Sequence, residues 1–286
     1  MPLEVQKTTE TVEKMPVTML VYGNGGVGKT TLATTAPNPL LVDCEGGTKY
    51  LGKRGIEADV VNIKSWSEMK EVLTIMKDYD TIVIDPIGEL MEKLKRHMIG
   101  LRDKKLTQND GSPTAAGWGW LKDNLRSYLK VLRDSGKHVL IIAHVEEKED
   151  GDHMVKRPLL QTKLSEEIVN MLDAVGYMTR VSGGQDEEGN ELEAKRVILV
   201  DADSDRYVAK DRSDQLNNVI EPDFSKIVKA VQGTEVFAWS SDEAKARFNA
   251  KETEEKKEAK AKKSTKKADK KEEEPKEGNE AANETK

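Results

Sequence analysis

A single cysteine, Cys44, occurs in 286 residues. No disulfide can form within the chain, and no multi-cysteine metal site can be built. Aromatic residues make up only 5%. No apolar run approaches the roughly 18 residues that a membrane-spanning helix requires. The opening stretch MPLEVQKTTETVEKMP holds no apolar segment of the kind a secretory leader needs. These absences predict a soluble protein of the cytoplasm with no membrane contact. A broad basic surface is missing too. Residues 251–286 contain 12 Lys against 11 Asp and Glu, leaving 34 basic and 41 acidic residues in the remainder. An acidic body is not the footprint of a protein that coats nucleic acid, so such a contact would come from local loops. The stretch 251–286 also lacks aromatics, Val, Ile and Leu. It cannot bury enough apolar surface to offset its ordering entropy, which predicts a largely disordered tail over 241–286. Residues 1–15 read as a polar arm, and 16–240 as one α/β domain.

Within that domain, short β-branched runs alternate with helical periodicity. VTMLVY (17–22), PLLVDCE (39–45), ADVVNIK (58–64), TIVIDP (81–86) and HVLIIAH (138–144) read as buried strands. Helices are expected over 29–36, 66–79, 86–99 and 120–136, the last ended by Gly136. Near-continuous apolar strands with helices between them predict a mainly parallel sheet covered on both faces. After 144 the rhythm changes. A polar stretch (145–163) leads to a short helix at 164–172. AVGYMTRV, AKRVILVDA and RYVAK then read as antiparallel strands, the first two joined by the turn-rich SGGQDEEGNE, and a helix runs from Pro222 to Val231.

The segment VYGNGGVGKTTLA carries the clearest chemistry. Gly23, Asn24, Gly25, Gly26, Val27, Gly28, Lys29, Thr30 and Thr31 match the phosphate-loop pattern between a buried strand and a helix. Glycines let backbone N–H groups turn inward around phosphate oxygens. Lys29 would reach the terminal phosphates of ATP, and Thr30 would ligate Mg2+. Asp85 closes its strand where a Mg2+-bound water is held in such sites; alternatively it caps the next helix. Pro86 follows it, so there is no adjacent second acid to activate water. That role falls to Glu45, which could equally be a solvated loop residue. His144 ends the strand HVLIIAH and is either a hydrogen-bond donor to the terminal phosphate or a capping histidine. Lys210 and Arg212, two apart on an expected strand, point the same way. They read as a surface charge pair or as cations for a neighbour's nucleotide.

In this order the motifs resemble the RecA-type ATPases over about residues 17–232, and within them the phage nucleotide-binding and single-strand-annealing recombinases. The resemblance implies a general-base role for Glu45 in Asp43-Cys44-Glu45, and Mg2+ coordination by Thr30 and, through water, Asp85. It also implies γ-phosphate sensing at His144, where the recombinases typically carry Gln. Lys210-Asp211-Arg212 would act across a subunit interface, making a homo-oligomer with shared active sites. Single-stranded DNA would meet the segments 100–117 and 145–163. The first holds Arg102, Lys104 and Lys105, followed by Trp118 and Trp120; the tryptophans would stack bases or else pack on the core. The expected function is Mg2+-dependent ATP hydrolysis on single-stranded DNA in phage recombination or replication, in the host cell cytoplasm. A nucleotide-gated binding module with negligible hydrolysis is the alternative. A partition-type ATPase is disfavoured by Asn24, which stands where that group has a signature lysine. A small-molecule kinase is disfavoured because no Arg-rich lid is evident.

Overall fold

The computed structural model of the chain describes residues 15–151, 153–160, 162–181, 194–201 and 204–234. All but Met15 of the expected arm, the expected tail and the SGGQDEEGNE turn lie outside the described residues. The described residues belong to one compact unit. In it the strands β1 (Thr18–Gly23), β2 (Pro39–Asp43), β3 (Asp59–Asn62), β4 (Thr81–Asp85) and β5 (His138–Asp150) follow the expected order. β6 (His153–Pro158), β7 (Ala174–Val181), β8 (Lys195–Leu199), β9 (Lys210–Asp211) and β10 (Val219–Ile220) complete the sheet. The spatial order is β10-β8-β7-β1-β5-β4-β2-β3, with β6 added to β5 and β9 to β7. β7, β1, β5, β4, β2 and β3 run parallel to one another. β8 and β9 run antiparallel to β7, and β10 antiparallel to β8.

Both faces of the parallel part are covered, as its apolar strands predicted. Alternate strand residues go to opposite sides. Leu20, Tyr22, Val42, Ile84 and Ile141 join one core cluster, whereas Met19, Val21, Leu41, Val83 and Ile142 join another. The first is closed by α2 (Met69–Ile75), α3 (Ile87–Gly100), α4 (Ala115–Arg133) and α5 (Thr162–Met171), through Met69, Leu94, Leu125 and Ile168 among others. The second is closed by α1 (Lys29–Ala33) and α6 (Phe224–Val231), through Leu32, Phe224 and Ile227.

Three expectations need correction. RYVAK is not a strand along its length: only Lys210 of it joins β9, and Tyr207 makes an isolated parallel bridge to Lys156. The polar stretch after His144 is not a loop: β5 continues to Asp150 and returns as β6. Its pairing places Glu146 opposite Arg157 and Glu147 opposite Lys156, with ion-pair distances of 2.9 and 3.6 Å. Opposite charges across strands stabilise a hairpin without an apolar face, so hydrophobic periodicity does not reveal it. The helix expected at 120 starts at Ala115 instead, because the Thr114 hydroxyl accepts from Gly117 N–H as an N-cap. Trp118 and Trp120 therefore lie in its first turns, packed against the first core cluster.

Candidate active site

The phosphate loop leaves β1 at Gly23 and enters α1 at Lys29. Glycine is required at two positions, Gly23 and Gly28. A Cβ at Gly23 would lie 2.3 Å from the Met178 carbonyl oxygen of β7, closer than any side chain tolerates. Gly28 takes φ +112°, a left-handed conformation that disfavours a side chain, and a Cβ there would also meet Arg196 Cδ at 3.3 Å. Lys29 is buried, and its ammonium donates to the carbonyls of Gly23 at 2.8 Å and Asn24 at 3.0 Å, which keeps it within the loop. Burial lowers its pKa, while Asp85 and Glu45 act in the opposite direction. The loop, the lysine and the two acids thus form one electrostatic unit.

Thr30 Oγ1 donates to Asp85 Oδ2 at 2.7 Å. Burial pushes the Asp85 carboxyl up from 3.8 to about 6; the Thr30 hydroxyl opposes this, and Glu45 and Asp43 reinforce it. These two oxygens fit a Mg2+ ion, which takes few protein ligands and completes its shell with phosphate oxygens and water. Among the described residues no cluster of three or more His, Cys, Asp or Glu could hold a metal by itself.

Glu45 is placed by Asp43. The buried Asp43 carboxylate accepts the backbone N–H groups of Glu45, Gly46, Gly47 and Thr48 at 2.7–3.2 Å, and the Thr48 hydroxyl at 2.5 Å. Burial alone would raise its pKa; the Thr48 hydroxyl and the N–H donors outweigh it and hold the carboxyl below its usual range. Glu45 projects from this turn, half-exposed, with Oε2 at 3.4 Å from His144 Nε2. His144 stands beside Gly23 in the β1–β5 register. The structure therefore brings Lys29, Thr30, Glu45, Asp85 and His144 to one edge of the sheet.

Lys210 and Arg212 are not there. Their segment pairs with the start of β7, next to Thr18 at the start of β1, so they sit at the opposite end of the parallel strands. They do point the same way. Lys210 donates to the carbonyls of Val169, Asn170 and Leu172, and Arg212 to that of Asn170. Both thus cap the C-terminus of α5, where a cation meets the negative end of the helix dipole.

The organising role of Asp43 escaped the sequence reading, as did Arg180 and Arg196 altogether. Asp43 organises the Glu45 turn; its signal was the spacing of an acid ahead of Gly-Gly-Thr, typical of side chains that bond their own backbone. Arg180 and Arg196, on β7 and β8, flank the phosphate loop. Arg180 lines a cleft of about 300 Å³ with Asn24 to Val27. Arg196 lines one of about 500 Å³ with Gly28, Thr31 and Thr35. Nothing in their local sequence marks them, because the strand pairing that brings them to the loop is long-range. Of the segment 100–117, residues 101–114 form a short self-bonded loop: Gln108 N–H donates to Ser112 O, and the Thr114 hydroxyl donates to Lys105 O. The tryptophans that follow are taken up by packing, with Trp118 under Lys95 and Trp120 stacked on His97.

Such a sheet, with a phosphate loop, a threonine–aspartate pair and a glutamate from the turn after β2 at one edge, defines a P-loop nucleotide-binding domain. A family model described as an AAA domain matches residues 15–213. The chain belongs to that family. No curated protein matches the sequence. Among solved structures, a KaiC-like protein from the hyperthermophilic archaeon Pyrococcus horikoshii OT3 is similar at 16% identity and a TM-score of 0.37, over 65% of this chain and 78% of that one. Among the described residues no helix is long and apolar enough to cross a membrane.

Two outcomes follow from this geometry. The raised Asp85 pKa means that the folded state holds a proton the unfolded chain has lost between pH 3.8 and about 6, so stability falls as pH rises through that window. Asp85→Asn should therefore make the nucleotide-free protein more stable than wild type above pH 6, by about 1–3 kcal/mol, with the gain vanishing near pH 4. Urea unfolding across pH 4–8 reads this directly. Asp43→Ala strands four N–H groups of the Glu45 turn and should cost about 2–4 kcal/mol in the same assay.

Proposed function

We propose that the protein hydrolyses ATP with Mg2+ and couples this to single-stranded DNA, as a RecA-like protein of phage recombination or replication. The observation that supports hydrolysis best is the meeting of Lys29, the Thr30–Asp85 pair and Glu45 at one sheet edge. In this reading the loop N–H groups and Lys29 hold the phosphates, and Thr30 and Asp85 hold the cation. Mg2+ would neutralise charge developing on the phosphate oxygens. Glu45 accepts the proton of a water whose oxygen bonds to the γ-phosphorus as the bond to the β–γ bridging oxygen breaks, releasing ADP. His144 stands 3.4 Å from Glu45 and begins the hairpin of β5 and β6, so a change at the terminal phosphate would reach that hairpin. The same contact favours a second reading, a nucleotide-gated module in which the hairpin responds and turnover is negligible.

Lys210 and Arg212 lie far from their own phosphate loop, so they would serve a nucleotide only across an interface between copies of the chain. The reading therefore includes a homo-oligomer with shared sites. For DNA, the turn after Glu45 gives better support than the segments 100–117 and 145–163. From Gly46 to Ile56 there is no acid, and Lys49, Lys53 and Arg54 lie within four residues of an exposed Tyr50. The Lys49 and Lys53 ammonium groups lie 5.0 and 5.8 Å from the ring centroid. Cations around an exposed ring suit a single strand, through phosphate contact and base stacking.

Phosphate release, measured across protein concentration with and without oligo(dT), tests the reading. Specific activity should rise with concentration and with DNA, and Glu45→Gln should lower kcat by about 10²–10⁴-fold with ATP binding kept. Turnover that is linear in protein and blind to DNA would overturn the oligomeric, DNA-coupled part, and turnover no higher than that of Glu45→Gln would favour the gated module. Arg212→Ala should abolish turnover while ATP still binds; full activity in that variant excludes a role across the interface. Tyr50→Ala should weaken oligo(dT) binding by about tenfold in fluorescence anisotropy.

A further inference from the structure

Arg180 and Arg196 stand directly opposite each other in the antiparallel β7–β8 pair. Opposed residues share one face of a sheet with Cβ atoms about 5 Å apart, and like charges in that relation destabilise the pair. The face is defined by their neighbours. Met178 and Ile198, two residues from each arginine and opposite each other, both belong to the core cluster under α1. Met178 Cε lies 3.4 Å from where a Gly28 Cβ would be, and Arg196 Cδ and Nε lie at 3.3 and 3.4 Å from the same point. The two guanidinium-bearing side chains therefore stand on the phosphate-loop side of the sheet, one over Gly28 and one beside Asn24 to Val27.

Among the described residues, ion pairs engage Arg126, Arg133, Arg157 and Arg206, and no carboxylate pairs with Arg180 or Arg196. Both side chains are exposed. Two opposed cations with no carboxylate partner among the described residues are favourably placed to take up an anion, even with Glu221 in the Arg196 cleft. Phosphate is the chemistry that fits, since a guanidinium fork binds its oxygens in pairs. The orientation of the site agrees. Thr30 faces Asp85, whereas the next residue, Thr31, lines the Arg196 cleft. A nucleotide whose terminal phosphate lies near Asp85 would thus lead its inner phosphates past Gly28 and under Arg196.

We propose that Arg180 and Arg196 form a clamp, within one chain, on the phosphates of the bound nucleotide. This rests on the nucleotide-binding reading of the loop and adds the residues that grip the phosphates from the β7–β8 side. It carries an energetic signature. The pair repels when no anion is present and is satisfied when phosphates lie between its members, so losing one arginine weakens binding without weakening the empty fold.

The test is calorimetric titration of the full chain with ATP, ADP, sodium tripolyphosphate and adenosine, alongside thermal unfolding without nucleotide. Arg180→Ala and Arg196→Ala should each weaken ATP binding by about tenfold, and the double variant further, at about the scale of charge-assisted hydrogen bonds. Tripolyphosphate should show the same losses, and Arg196→Lys should recover only part of its loss. The Tm of the nucleotide-free variants should equal or exceed that of wild type. Wild-type ATP affinity in both single variants overturns the clamp and leaves the loop reading intact. So does a loss seen with ATP but not with tripolyphosphate, which would put the arginines on the base. A lowered Tm that accounts for the affinity loss makes the role structural and overturns the clamp as well. If wild type and Lys29→Ala alike fail to bind ATP and tripolyphosphate, the loop reading itself falls and the clamp with it.

Discussion

Asp43 pairs with Asp85 across β2 and β4, and Gly23 with His144 across β1 and β5. These are parallel pairs, so the strands all release their next residues at the same edge. A strand buried on both faces has few places for a polar side chain except its ends. The acids of β2 and β4, the histidine of β5 and the turn at the end of β1 are thereby gathered without any local sequence relation among them. Reversing one strand would leave every helix packable and still scatter the site.

Gathering polar groups at a buried edge creates an accounting problem, because each needs a partner. The molecule resolves it with the backbone. Asp43 collects four N–H groups and a hydroxyl, Lys29 turns to two carbonyls, and Thr30 turns to Asp85. No buried side-chain polar atom among the described residues lacks a partner. Burial leaves the Asp85 carboxyl with a raised pKa, so its charged form is the least compensated of the set. A buried carboxylate held short of full compensation is what a cation can improve, so the cost in the nucleotide-free protein and the capacity to bind Mg2+ have one origin.

What could be read from the sequence follows from this physics. The parallel strands were legible as short β-branched runs because burial on both faces removes polar residues from them. The placement of Lys29, Thr30 and Asp85 at one sheet edge was legible because glycine spacing and strand ends constrain where such residues sit. The β5–β6 hairpin was not, since its pairing rests on Glu146–Arg157 and Glu147–Lys156 rather than on an apolar stripe. Nor was the early start of α4, which depends on one Thr114 hydroxyl. Asp43 was legible as a strand end and not as the organiser of the Glu45 turn, because its five donors come from a turn whose path the residue types alone leave open.

The two basic pairs show how placement separates meanings that composition merges. Lys210 with Arg212 and Arg180 with Arg196 both present two cations on one face near an antiparallel partner of β7. The first pair is anchored within the chain: Lys210 meets three carbonyls and Arg212 one, at the negative end of α5. The second has no such sink among the described residues, and the register forces its members to face each other beside the phosphate loop. A satisfied cation stabilises the element it touches; an unsatisfied and opposed one raises the energy of the empty molecule and lowers that of any complex that supplies an anion. By that criterion the phosphate-loop edge of the sheet holds two arginines with no carboxylate partner among the described residues, and the far edge holds two cations that cap α5 and would have to serve a neighbour's nucleotide from that position.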